Sequence, residues 1–280
     1  MLSFKEKIIK NSIWACIIIF LVLLLVHGSE AIFLRMDETI FAENFINKLF
    51  GIFVIGLVLY LLKWNWKDIG FEKNNILKNI LAGFALGLTT FFIAYVVEIL
   101  ILNGQGQFVS LGFFTTGFSL TGNPTINTGI GFILMCVIFN IINVVMEEGT
   151  FRGLFINILS ENHTMKLAIL FQVLLFGIWH IVTPLHNYLD GGLGFGGFIG
   201  LSVGYIILAG LMGLKWGLLR KITGNLYAGM ADHFFNNCIA TNLVHVVTVG
   251  GFDDLMIIRI LIAQILSFII VLIIYLKKKP

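Results

Sequence analysis

Charged residues are scarce in this sequence. Asp, Glu, Lys and Arg make up 12% of the 280 residues, whereas 58% are hydrophobic, a balance that excludes a chain whose main solvent is water. The net charge of +3 does not point to nucleic acid, because the basic residues stand in short runs between apolar segments rather than on one soluble face. Cysteine is also sparse. Cys16, Cys136 and Cys238 lie in apolar segments without CxxC spacing, which excludes a disulfide framework or zinc knuckle and reads as packing in a reduced setting. No small-x-small cleavage site follows the apolar run 13–26 behind Lys5, Lys7 and Lys10, since His27, Gly28, Ser29 and Glu30 come next. A retained signal-anchor helix is therefore expected. No repeat with a period of roughly 20 to 50 residues stands out. The glycine-rich stretch 190–197 lacks a preceding strand and phosphate-binding spacing, so it reads as a flexible loop whose one functional reading is a substrate entry point.

What is present is a succession of apolar stretches, each long enough to cross a hydrocarbon layer of about 30 Å. Eight are expected, at about 12–28, 45–62, 76–102, 128–158, 166–183, 196–219, 224–246 and 255–276. Eight crossings put Lys5, Lys7, Lys10, Lys63, Lys67, Lys73, Lys78, Lys166, Lys215, Arg220, Lys221 and Lys277 to Lys279 on one side, which the positive-inside rule makes cytoplasmic. Arg35, Lys48 and Arg259 fall on the other side or at its edge. The expected fold is all-α, a polytopic transmembrane bundle with both termini cytoplasmic. Its expected parts are N-terminal helices over 1–127, a core over 128–246, and a C-terminal helix with a basic tail over 247–280.

Ionisable groups inside such helices cost a few kcal/mol each, so they usually face the protein interior and serve a function. Three clusters qualify: Glu147-Glu148 with Arg152, Phe176 with His180, and His233 with Asn237. At about 1.5 Å of rise per residue, Glu147, His180 and His233 lie roughly 16, 21 and 14 Å above the cytoplasmic ends of their spans, so one layer can hold all three. Each cluster contains an i, i+4 step that puts its members on one helix face. Two adjacent glutamates in a low dielectric cannot both ionise cheaply. Glu148 is therefore assigned to Arg152, leaving Glu147 to face a water as base. His180 is placed to share that water's proton, with His233 and Asn237 as donors to a developing oxyanion.

The arrangement EExxxR, FxxxH and HxxxN on successive hydrophobic helices resembles the CPBP intramembrane proteases, the CaaX protease and bacteriocin-processing or Abi family. The resemblance covers roughly residues 128–245. It implies an eight-helix membrane endopeptidase related to enzymes that trim prenylated CaaX proteins. In it Glu147 and His180 activate water, His233 and Asn237 form the oxyanion site, and Glu148 and Arg152 hold the first motif.

Zinc remains open at this stage. Glu147, His180 and His233 form an acceptable ligand set, yet no HExxH is present and Asn237 is a poor ligand. The expected partners are a peptide or lipidated-protein substrate and the lipid bilayer, without nucleic acid, in a bacterial plasma membrane. Candidate substrates are a CaaX-type C-terminus, a bacteriocin precursor and a pheromone precursor. Two other classes share the polar residues. One is a non-enzymatic immunity or partner-binding protein, separable only by a turnover assay. The other is a proton-coupled transporter, which would more readily show inverted repeats.

Among the remaining polar residues, His27, His163, His186 and His245 lie near span ends and are assigned no role, with His186 the reserve candidate. Asp232 and Asn236 flank the third motif one residue out of phase. Glu98, alone in the third span, reads as either a helix contact or a residue near the outer edge. Trp64 and Trp66 fit an interfacial belt, and Trp179 is read as either groove wall or packing.

Overall fold

The computed structural model describes residues 4–39, 41, 43–116 and 126–278. A short basic helix, α1 (Phe4–Lys10), leads into α2 (Ser12–Ser29), followed by α3 (Ile46–Leu62) and α4 (Ile76–Gly104). The next helix starts as α5 (Ile130–Glu147), passes through a π-helical stretch, Glu148–Phe155, and ends as α6 (Ile156–Ser160). Then come α7 (Met165–Trp179), α8 (Val182–Leu189), α9 (Phe195–Thr223), α10 (Tyr227–Phe234), a second π-helical stretch, Phe235–Thr241, and α11 (Met256–Lys277).

Six of these helical segments are long and apolar enough to cross a membrane: Ser12–Glu38, Ile76–Gly104, Ile130–Ser160, Met165–Leu189, Phe195–Thr223 and Met256–Lys277; α3 is a shorter apolar helix. The polarity of the molecule is reversed relative to a soluble protein. Leu25, Tyr60, Leu88 and Ile257 are exposed, while Glu98, Arg152, Lys215 and Arg259 are fully buried. With lipid as solvent, apolar groups lose nothing at the surface and polar groups must find one another inside.

Local chemistry sets several boundaries. Thr164 caps α7, its hydroxyl accepting the Leu167 N–H at 3.3 Å. Gly224 ends α9 in the left-handed region, φ +79°, a conformation glycine adopts without steric cost. Helices α4 and α10 pack so closely that a Cβ on Gly83 would sit 2.2 Å from the Ala228 carbonyl oxygen, so only glycine fits there.

The segment expected as one helix over 224–246 is not one. Its helix stops at Thr241, and Val244–Thr248 is a strand, β2, flanked by β1 (Ser110–Phe113) and β3 (Gly251–Phe252) in an antiparallel sheet of order β1-β2-β3. The run Val244-His245-Val246-Val247 is β-branched at three positions, which suits a pleated surface better than a helix.

Four cations counted as topological markers, Lys48, Lys215, Arg220 and Arg259, are interior instead. Lys215 and Arg259 are fully buried, and Lys48 is nearly so. Arg259 pairs with Glu98 at 2.8 Å and with Asp253 at 2.9 Å. Of the two readings of Glu98, the helix contact is the one the structure shows. His245, also buried, bonds Asp253 through Nδ1 at 2.6 Å and the Phe114 carbonyl through Nε2 at 3.0 Å. Burial alone would raise the Asp253 carboxyl, but the His245 hydrogen bond and the Arg259 and His245 charges hold it below its ordinary value.

Candidate active site

The first motif straddles the junction where α5 becomes π-helical, Glu147 ending one and Glu148 beginning the other. The third motif straddles a second such junction, with His233 on α10 and Asn237 in the π-helical stretch after it. Departures of this kind from α geometry are frequent at functional sites because they re-aim side chains.

The two carboxylates take opposite edges of one imidazole. Glu148 Oε1 lies 3.0 Å from His233 Nδ1, and Glu147 Oε2 lies 3.7 Å from His233 Nε2. Asn237 Nδ2 is 3.1 Å from the same Nε2. An amide nitrogen only donates, so Nε2 accepts and the ring proton sits on Nδ1, facing Glu148. Trp216 stacks on the ring of His233, centroids 4.0 Å apart and planes 16° apart. Trp216 is itself held by donating to Asp232 at 2.7 Å.

Arg152 reaches Glu148 at 3.3 Å, as the one-turn spacing suggested. Its guanidinium nitrogens make no hydrogen bond among the described residues. The cation instead lies on aromatic faces, 3.8 Å from the Phe176 ring centroid and 4.9 Å from that of Trp216. Charge and ring quadrupoles hold it. Glu148 therefore touches both Arg152 and His233.

His180 caps the C-terminus of α7, where the helix breaks before α8. Its Nδ1 is 2.8 Å from the Phe176 carbonyl oxygen. A carbonyl only accepts, so Nδ1 carries the proton and Nε2 keeps a lone pair. His180 interacts electrostatically with Glu147 and His233.

Glu147 is not left facing water alone. Its Oε1 accepts from Trp179 Nε1 at 3.1 Å and from Lys48 Nζ at 3.4 Å. Trp179 is also stacked on His27, centroids 4.3 Å apart. Lys48 and His27 were overlooked in the sequence, one as an outer-edge cation and the other as a span-end imidazole. Both are ionisable groups at the edge of apolar runs, the same feature that marks Glu147.

Asp232 does not enter the cluster directly. Lys215 holds it at 2.5 Å. Asn236 does, donating to Asn237 Oδ1 at 2.7 Å. His186 lies elsewhere, with Arg35 and Asp190.

The zinc set suggested by the sequence does not fit. Among the described residues, the one group of His, Cys, Asp or Glu side chains with ligand atoms all within 4.8 Å of one another is Glu38, His186 and Asp190. Glu147, His180 and His233 do not meet that condition. In addition, Asn237 donates to His233 Nε2, and Lys48 stands on Glu147 where a metal would compete with it. At Glu38, His186 and Asp190 the cation is Arg35, which contacts all three, Glu38 at 2.8 Å and His186 at 2.8 Å.

Fold and site together define a helical integral membrane protein with an acid, imidazole and amide cluster buried where separate helices meet. Residues 129–239 match the family model described as Type II CAAX prenyl endopeptidase Rce1-like. The resemblance to the CPBP and CaaX protease family read from the motifs holds for this segment, which contains Glu147, Glu148, Arg152, His180, His233 and Asn237. His27 and Lys48 lie outside it. No curated protein and no solved structure gave a match.

Proposed function

We propose that this protein is an intramembrane endopeptidase that hydrolyses one amide bond in a membrane-associated peptide, with Glu147 as the base. The observation that carries the reading is that Glu147, His233 and Asn237, from separate helices, converge within a segment matching a CAAX prenyl endopeptidase model. Glu147 takes a proton from water, and the resulting hydroxide attacks the carbonyl carbon. His180, with its Nε2 lone pair, shares that proton and returns it to the departing amine. Asn237 has two amide protons and gives one to His233, so the second is available to the tetrahedral oxyanion. His233 acts here by orienting Asn237; it donates to the oxyanion itself only once protonated on Nε2.

No step passes through a metal. The substrate presents its scissile bond from the lipid, which suits a CaaX-type C-terminus, a bacteriocin precursor or a pheromone precursor. The test compares membrane peptides from cells carrying the protein with those from cells carrying Glu147→Gln. A peptide shortened only in the first supports the reading. Identical peptide sets with retained resistance to a bacteriocin would favour the non-enzymatic immunity role.

A further inference from the structure

A single directed chain of hydrogen bonds runs through the interior from a cation to a carboxylate. Lys215 Nζ donates to Gln264 Oε1 at 2.6 Å, and Gln264 Nε2 donates to Asn236 Oδ1 at 2.9 Å. Asn236 Nδ2 donates to Asn237 Oδ1 at 2.7 Å, and Asn237 Nδ2 donates to His233 Nε2 at 3.1 Å. His233 Nδ1 closes the chain on Glu148 Oε1 at 3.0 Å. Lys215, Gln264, Asn236, His233 and Glu148 are all at least nine-tenths buried, so water cannot readily replace a misdirected partner.

An amide side chain has a donor end and an acceptor end, and either can be turned toward a neighbour. An ammonium group only donates and a carboxylate only accepts. With those two at its ends, the chain has one self-consistent direction, and each link polarises the next. Ser267 accepts from Lys215 at 2.9 Å and Asp232 pairs with it at 2.5 Å, so the starting cation is itself fixed in place.

We infer that Gln264, on α11 and outside the segment matching the family model, is a positioning residue: anchored by Lys215, it sets the amide orientations of Asn236 and Asn237 and so presents a donor to Nε2 of His233, while Glu148 holds the ring proton on Nδ1. Through Asn237 it also aims the second amide proton. The inference rests on the peptidase reading only in taking Asn237 as a group that touches substrate.

The test uses the full-length protein in detergent with ¹⁵N-labelled histidine, the His233 signals being assigned by their loss in His233→Gln. Wild type should show a pyrrole-type nitrogen at Nδ1 and a pyridine-type nitrogen at Nε2. In Gln264→Glu the new carboxylate accepts from both Lys215 and Asn236. Both asparagine amides then turn over, the Asn237 oxygen faces Nε2, and Nε2 becomes pyrrole-type. Gln264→Met removes the anchor while leaving Glu148 in place, so Nδ1 stays protonated while kcat falls about 10- to 100-fold with KM unchanged, the usual effect of losing an outer orienting partner. An unprotonated Nδ1 in wild type, or an unchanged Nε2 in folded Gln264→Glu, overturns the inference. If Gln264→Glu does not fold, wild-type turnover by Gln264→Met overturns it. Turnover by Glu147→Gln, measured alongside, would remove the peptidase reading while leaving the nitrogen signals to decide the relay by themselves.

Discussion

Lys48 Nζ lies 3.4 Å from Glu147 Oε1, so a cation from α3 reaches the first carboxylate of a motif about a hundred residues later in the chain, in a region where both are nearly excluded from solvent. Unit charges about 4 Å apart at an effective dielectric of 20 interact by about 4 kcal/mol, so the pair is a main determinant of where Glu147 points. Lys48→Met is expected to lower turnover at least about tenfold, and Lys48→Arg to recover much of it by restoring the charge. Steady-state kinetics on both variants checks this. Equal, mild losses would show that the charge has no part in the chemistry.

Asn237 and Arg152 should fail in different ways. Asn237→Ala removes a donor to the oxyanion and is expected to cost about 10² to 10³ in kcat with substrate binding little changed. Arg152→Ala strips Glu148 of a buried counter-charge and empties the space over Phe176, a change expected to cost about 3 to 5 kcal/mol. Yield of folded protein and thermal midpoint, measured beside kcat, separate the two.

Asp253 gives a pH dependence with a definite sign. Its folded pKa is held below the ordinary 3.8, so its contribution to stability is present above the unfolded value and is lost as pH falls through the lower folded one. Thermal stability should therefore drop on acidification below about pH 4, and Asp253→Asn should weaken that drop. An unchanged profile in the variant would remove Asp253, His245 and Arg259 as the cause.

With the interior cations Lys48, Lys215, Arg220 and Arg259 set aside, Arg35 is left as the basic residue opposing the runs at Lys5 to Lys10, Lys63 to Lys78 and Lys277 to Lys279. We expect reporter fusions after Lys78, Lys221 and Lys278 to report cytoplasm and a fusion at Gly192 to report the opposite side. An external C-terminus would overturn the even number of crossings.

Most of this cluster was readable from the sequence because lipid makes polar residues conspicuous. A glutamate pair, two imidazoles and an amide stand out in apolar helices, and Glu147, His233 and Asn237, singled out on that ground, lie together in the structure. Residues placed at the edges of spans were lost. Lys48 stands two residues into α3, where a lysine ordinarily snorkels to the interface, and His27 stands two residues before the end of α2. Gln264 carries no charge and gives little signal. The π-helical stretches have no pattern of their own, so helical spacing put Asp232 and Asn236 equally out of phase, whereas Asn236 contacts Asn237 and Asp232 pairs with Lys215. The sheet was missed because an apolar run of valines reads as either strand or buried helix until its partner strand is known.

The central claim is that Glu147 acts as the base without a metal, and one assay tests it most directly. The purified protein and Glu147→Gln, each exhaustively treated with chelator, are given a quenched lipidated peptide in detergent. The expected result is full turnover by the metal-free wild type and a loss of about 10² to 10⁴ or more in the variant. Turnover by Glu147→Gln at the wild-type rate, or loss of wild-type activity on chelation with recovery on adding zinc, would contradict the account.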